Sequence, residues 1–157
     1  MPLHPRHSQI LAALTDSQAV AMTIWAEARA ELVEGEIAVG CVIRNRLLRP
    51  RRFSNEWKGV VHQRNAKGTY EFSCWMPSGG AKNYNQLMAV CEAALAGERL
   101  WPVQQQWIAE GIIAGYIEDR VAGADHYYAD YIPAPSWWPK MIETAHIGVH
   151  IFGRERL

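Results

Sequence analysis

The run Thr23-Ile-Trp-Ala-Glu27-Ala-Arg29-Ala-Glu31 sets one acidic residue, Glu27, among apolar and small neighbours. At helical spacing Thr23, Ile24, Glu27 and Glu31 fall on one face. An apolar face must pack on something, and packing a carboxylate there costs the hydration of its charged form. Glu27 is therefore ion-paired, kept at the rim of a cleft, or held in place for proton chemistry. Arg44 and Arg46 are the partners available for the first case. The rest of the chain has to be organised around whichever of these holds.

The flanking sequence supports a helical domain. Residues 8–14 suit a short helix, and Thr15-Asp-Ser-Gln18 reads as a capping box opening a longer one over about 17–30. A second long helix is expected over about 34–48, with Ala38, Val42, Ile43 and Leu47 as its apolar stripe. Arg44, Arg46 and Arg49 crowd its C-terminal end, where positive charge suits the helix dipole, and Pro50 stops it. Ser54 or Asn55 should cap a short helix through Trp57, Val60 and Val61.

Residues 63–83 are irregular, apart from the β-prone run Thr69-Tyr-Glu-Phe-Ser-Cys-Trp75, which suits a short strand or hairpin. Helices return over about 84–96 and 103–116. From Gly123 onward the pattern changes to short strands and loops. No repeat or linker divides the 157 residues, so one domain over 1–157 is expected.

Composition excludes several classes. Lys plus Arg and Asp plus Glu both number 16, so the chain has no net field with which to hold nucleic acid or an anionic surface. The N-terminal residues lack the apolar stretch of a secretory signal, and nothing is long enough to span a bilayer. Synthesis in the cytoplasm without membrane insertion is the expectation. Three cysteines without CxxC spacing suggest free thiols, with one pair left open. Seven Trp and six Tyr suit either a sugar-binding groove or an aromatic core and lid.

Glu27-Ala-Arg29-Ala-Glu31, Glu34-Gly35, Ala38-Val39-Gly40 and Val42-Ile43-Arg-Asn45-Arg46 together resemble the first motif block of the SleB-type cell wall hydrolases. That family includes spore cortex-lytic enzymes and some phage lysins. Further matches follow in family order: Phe53-Ser54, Val60-Val61, Phe72-Ser-Cys-Trp75, Gly123-Ala-Asp-His-Tyr-Tyr128, Pro135-Ser-Trp-Trp138, and Ile147-Gly148 with His150 and Phe152. The resemblance covers about 18–152, and no repeated wall-binding module accompanies it. One departure is Ala30, where the family carries Gly, which predicts a more regularly helical Glu31 region.

The resemblance implies a mainly α, α+β fold of lysozyme-like type. It also implies cleavage of the glycan strands of peptidoglycan between N-acetylmuramic acid and N-acetylglucosamine, as a lytic transglycosylase. Such a reaction needs one carboxyl group, acting first as acid and then as base, and neither metal nor cofactor. Glu27 is the expected acid and base. A hydrolysing muramidase would need a second carboxylate, for which Glu31 and Glu36 are the options. Structural roles fit those two better, Glu31 through an arginine such as Arg29 and Glu36 as a solvated or capping residue.

Ser73, Trp75, His126, Tyr127 and Trp137 are the expected substrate contacts, with Trp75 as a stacking platform. His126 equally suits a structural tie, and Trp137 and Trp138 equally suit a cover over the core. A zinc amidase using His126, His146 and His150 is the main rival, and a glycan-binding module without catalysis is the weakest. The lack of a signal and of a wall-binding module fits a monomeric phage or prophage endolysin. A holin would release it to the periplasm or wall.

Overall fold

The computed structural model describes residues 3–77 and 81–156. Helix α1 (His7–Ala13) leads into α2 (Asp16–Ala28), α3 (Val33–Leu47) and the short α4 (Trp57–Val61). After a long connection come α5 (Ala81–Leu95) and α6 (Val103–Ala114). Strands β1 (His126–Ala129), β2 (Met141–Ile147) and β3 (His150–Glu155) close the chain as one antiparallel sheet in the order β1-β3-β2. The fold is thus mainly helical with a small sheet.

Helix α2 is the axis of the helical layer and packs on α3, α4, α5 and α6. Its sequence explains this: Ala19, Val20, Ala21, Met22 and Ile24 are all buried, and an apolar helix that is buried all round belongs at the centre. The capping box forms as the sequence predicts, with Thr15 Oγ1 accepting from the Gln18 N–H and Gln18 Oε1 from the Thr15 N–H. Helix α3 can approach α2 and α6 closely because residue 40 is Gly. A Cβ there would lie 3.0 Å from Ile112 and 3.3 Å from Ile24.

Helix α2 stops at Ala28, and Arg29 and Ala30 form a turn. The more regular helix expected from Ala30 does not form, and Glu31 leaves the face that carries Glu27. The run expected as a strand before Trp75 is instead one isolated bridge, Arg64 to Tyr70, followed by a 3-10 turn over Ser73–Trp75. Ser78, Gly79 and Gly80 of the expected loop lie outside the described residues. Ser54 does not cap α4 at its first turn; its Oγ accepts from the Glu56 N–H just before the helix.

In the sheet, β2 and β3 join through Gly148-Val149, with Gly148 at φ +58° supplying the left-handed turn residue. His146 and His150 therefore sit on opposite strands of a hairpin. Cys41, Cys74 and Cys91 are all buried free thiols. Among the described residues no helix is long and apolar enough to cross a membrane.

Candidate active site

A cleft of about 500 Å³ opens between the end of α2, the 71–73 segment and the sheet. Glu27, Arg46, Glu71, Phe72, Ser73, His126, Tyr127 and Trp137 line it, together with Arg52, Lys140, Met141, Glu155 and Arg156. Glu27 is placed in the last turn of α2 because the apolar residues before it fix that helix in the core. The residue as a whole is half-buried, open to the cleft, while its carboxyl group is enclosed by protein.

Burial raises the Glu27 carboxyl above the ordinary range. Its position at a helix C-terminus, where the dipole is negative, acts in the same direction. Three hydrogen bonds oppose the rise, from the Tyr127 hydroxyl, the Cys74 thiol and the Cys74 backbone, and Arg46 adds a weaker opposing charge. Burial also holds Tyr127 and Cys74 well above their usual ranges, with Glu27 adding to it, so both stay protonated as donors. The site thus favours a neutral acid and yet has donors ready for the anion left after proton transfer.

Arg46 is the second buried charge. Its Nε donates to the Asp125 carbonyl at 2.8 Å, and its guanidinium lies over Phe53 at 5.0 Å and Phe72 at 4.7 Å. Its Nη1 is buried without a hydrogen-bond partner beside the cleft. Asp125, fully buried, ion-pairs with Arg49 through Oδ2 and contacts His126 Nδ1 through Oδ1 at 2.8 Å. Burial, helped by Arg46, pushes His126 down to about 4, so its ring is neutral at pH 7. A carboxylate can only accept, so Nδ1 carries the proton and Nε2 is left as an acceptor.

Five of the six expected catalytic and binding residues reach the cleft: Glu27, Ser73, His126, Tyr127 and Trp137. Successive strand residues face opposite sides, so His126 and Tyr127 both reach it because the cleft wraps around edge strand β1. Trp75 does not. It is 0% exposed, its Nε1–H donates to Thr23 Oγ1 at 3.1 Å, and its ring meets His62 edge-on. It is a core residue, and the platform expectation is corrected.

The proposed second carboxylates are also elsewhere. Glu31 Oε1 accepts from the Val149 N–H at 2.9 Å and lies 3.6 Å from His150, so it ties the β2–β3 turn to the end of α2. It does not pair with Arg29, which bonds Asn83 and Gln86 and stacks on Trp25. Glu36 is neither solvated nor a cap. It is 2% exposed and accepts from Gln104 and Gln105.

The carboxylates that share the cleft with Glu27 are Glu71 and Glu155, which the sequence reading missed. Burial alone would raise Glu155, but hydrogen bonds and charge from Arg52 and Arg49 outweigh it and hold the carboxyl low. The histidines of the zinc reading are dispersed: His126 is on Asp125, His146 on Asp130 at 2.9 Å, and His150 near Glu31. Among the described residues no three His, Cys, Asp or Glu side chains are placed to hold a metal ion. Trp138 meets Tyr128 edge-to-face and lies against Gly153, covering the sheet.

A family model described as cell wall hydrolase matches residues 30–153, most of the chain, beginning three positions after Glu27. Two solved structures share the fold. The catalytic domain of the germination-specific lytic transglycosylase SleB from Bacillus anthracis has a TM-score of 0.60 at 23% identity. That match covers 90% of this chain and 98% of the other. The catalytic domain of the Bacillus cereus SleB protein matches with a TM-score of 0.60 at 21% identity, over 97% and 95% of the two chains. No curated protein matches significantly.

Proposed function

Since the chain belongs to the cell wall hydrolase family, and is thus a peptidoglycan-degrading enzyme, we propose that it is a lytic transglycosylase with Glu27 as its general acid and base. The observation that carries this is a carboxyl raised by burial at the cleft, ringed by donors that stay protonated. The likeness to a structure described as a lytic transglycosylase agrees with it.

In this reaction the neutral Glu27 gives its proton to the glycosidic oxygen, and the bond to C1 of N-acetylmuramic acid breaks with the electron pair leaving on that oxygen. Positive charge develops at C1 while Glu27 becomes a carboxylate, held by Tyr127 and Cys74. The carboxylate then takes the proton of the C6 hydroxyl on the same sugar, and O6 bonds to C1. Glu27 ends protonated, the muramoyl product is a 1,6-anhydro sugar, and no water is consumed. Ser73 and the Nε2 acceptor of His126 are available for sugar hydroxyls, and Trp137 for a ring face.

Glu71 and Glu155 favour a muramidase as the second reading, because both share the cleft. Glu155 is engaged by two arginines, which leaves Glu71 for that role.

Mass analysis of digested peptidoglycan separates the readings. Products ending in 1,6-anhydro-N-acetylmuramic acid support the proposal, reducing ends support the muramidase, and freed stem peptides on intact glycan defeat both. Glu27→Gln should lower activity by about 10²–10⁴, the scale of general acid–base catalysis. The endolysin setting belongs to the same proposal and rests on the sequence reading. Expression of the chain alone should leave host cells intact, and co-expression with a holin should lyse them.

A further inference from the structure

Strands β2 and β3 run antiparallel with Met141 opposite Glu155, so Lys140 and Arg156 are cross-strand neighbours one position beyond that pair. The Arg156 N–H donates to the Lys140 carbonyl at 3.0 Å, which fixes the two backbones side by side. Like charges placed opposite each other across strands are destabilising. Nothing in the fold offsets this pair, since among the described residues neither side chain has an ionic or hydrogen-bonded partner. Both side chains are exposed, and both line the cleft that holds Glu27.

The surrounding charges leave this pair uncompensated. Of the acids lining the cleft, Glu155 is neutralised by Arg49 and Arg52. Glu27 is the group held for its proton, and Glu71 remains as one acid against Lys140, Arg156 and the buried Arg46. The chain as a whole has zero formal net charge, so the excess of cations is a local property of the cleft.

We propose that Lys140 and Arg156 form a carboxylate-binding edge of the cleft that recognises the stem peptide of the muramoyl residue being cleaved. This rests on the glycan-cleaving reading above and names the part of the substrate that reading leaves open. Two exposed cations at the mouth of a cleft reach groups that project from the glycan. The stem peptide projects from the lactyl ether and carries several carboxylates. The lactyl carboxyl is an amide while the peptide is attached and becomes a free carboxylate once it is removed, so the two sources of the same chemistry can be told apart.

The test uses soluble glycan fragments in two forms, peptide-bearing and stripped by an amidase. Binding to Glu27→Gln protein is compared with binding to the same protein carrying Lys140→Gln and Arg156→Gln. The added pair should weaken binding of the peptide-bearing form about fivefold, the scale of two exposed charge contacts, and lower its salt dependence. It should leave the stripped form within about twofold, the scatter expected of substitutions that remove no contact. Loss on the stripped form alone would assign the edge to the lactyl carboxylate and overturn the proposal, as would equal loss on both forms, which would assign it to the glycan they share, or no loss on either. Each single variant should give part of the effect, so the reading survives if the pair together perturbs folding. Wild-type product analysis is scored separately: a lack of anhydro ends overturns the proposed reaction, whereas the binding comparison judges this edge alone.

Discussion

The indole N–H of Trp75 donates to Oγ1 of Thr23 at 3.1 Å, and Thr23 Oγ1 in turn donates to the Ala19 carbonyl at 2.8 Å. The chain from indole to hydroxyl to backbone satisfies every polar atom of the two side chains inside a core where both are fully buried. It also locks the 3-10 turn over Ser73–Trp75 to α2, which places Ser73 and Cys74 next to Glu27. A residue with the composition of a sugar platform thus serves the site from behind.

Trp75→Ala should therefore cost about 3–5 kcal/mol of stability, the range for truncating a large buried aromatic. Trp75→Phe should cost less but leave Thr23 without its donor, a loss of about 1 kcal/mol on that account. Denaturant unfolding of both variants gives the comparison. A Trp75→Ala protein with unaltered stability and weakened glycan binding would return Trp75 to the cleft.

Glu31 offers a sharper separation of structure from chemistry. Glu31→Ala removes the acceptor of the solvent-open Val149 N–H and should lower stability by about 0.5–1.5 kcal/mol, the net contribution of one hydrogen bond, whereas Glu31→Gln keeps an acceptor oxygen and should lose less. Neither should change the type of product end, because Glu31 does not line the cleft. A switch in product chemistry in either variant would make Glu31 a reacting group.

How much of this was legible in the sequence depended on the range of the interaction. The Thr15–Gln18 capping box and the apolar run of α2 are local, and both formed where the residues predict. Glu27 was legible for the same reason, since its apolar neighbours lie within one turn. Glu31 was not, because the acceptor role depends on Val149, 118 positions away. Trp75 failed on composition: an indole suits a sugar face and a core equally, and only packing decides. Lys140 and Arg156 become neighbours through strand register, which sequence spacing does not reveal. Arg46 was visible within a motif, yet its place at a helix C-terminus gave it a sufficient reason that hid the buried one.

His62 sets a pH dependence on the acid side. Burial, helped by the charge of Lys58, pushes its imidazole from 6.5 down to about 4 in the folded chain. A depressed folded value means that the unfolded chain binds the proton more readily. The stability from a neutral His62 is therefore present above about 6.5 and is lost as pH falls through about 4. His62→Gln, which does not titrate, should show a shallower decline in melting temperature over that window. Parallel declines in the two proteins would mean that His62 is not desolvated against Trp75.

Glu27 carries the opposite sign, and this gives a prediction about protonation that does not depend on the products. Its folded value is raised above the ordinary carboxyl value of 4.5, so between the unfolded and folded values the folded chain binds more protons. That contribution to stability is complete below the unfolded value and is lost as pH rises through the folded one. Glu27→Gln does not titrate, so its stability relative to wild type should improve as pH rises from about 4.5, whatever the offset between the two at acid pH. The same ionisation should govern catalysis, because a carboxylate has no proton for the leaving oxygen: kcat/KM should fall on the alkaline side of the raised value. The two curves, one from unfolding of the pair of proteins and one from wild-type rates, should bend over the same pH interval. If the rate bends where the stability difference is flat, the proton that matters belongs to another group, and Glu71, which shares the cleft, becomes the residue to substitute next.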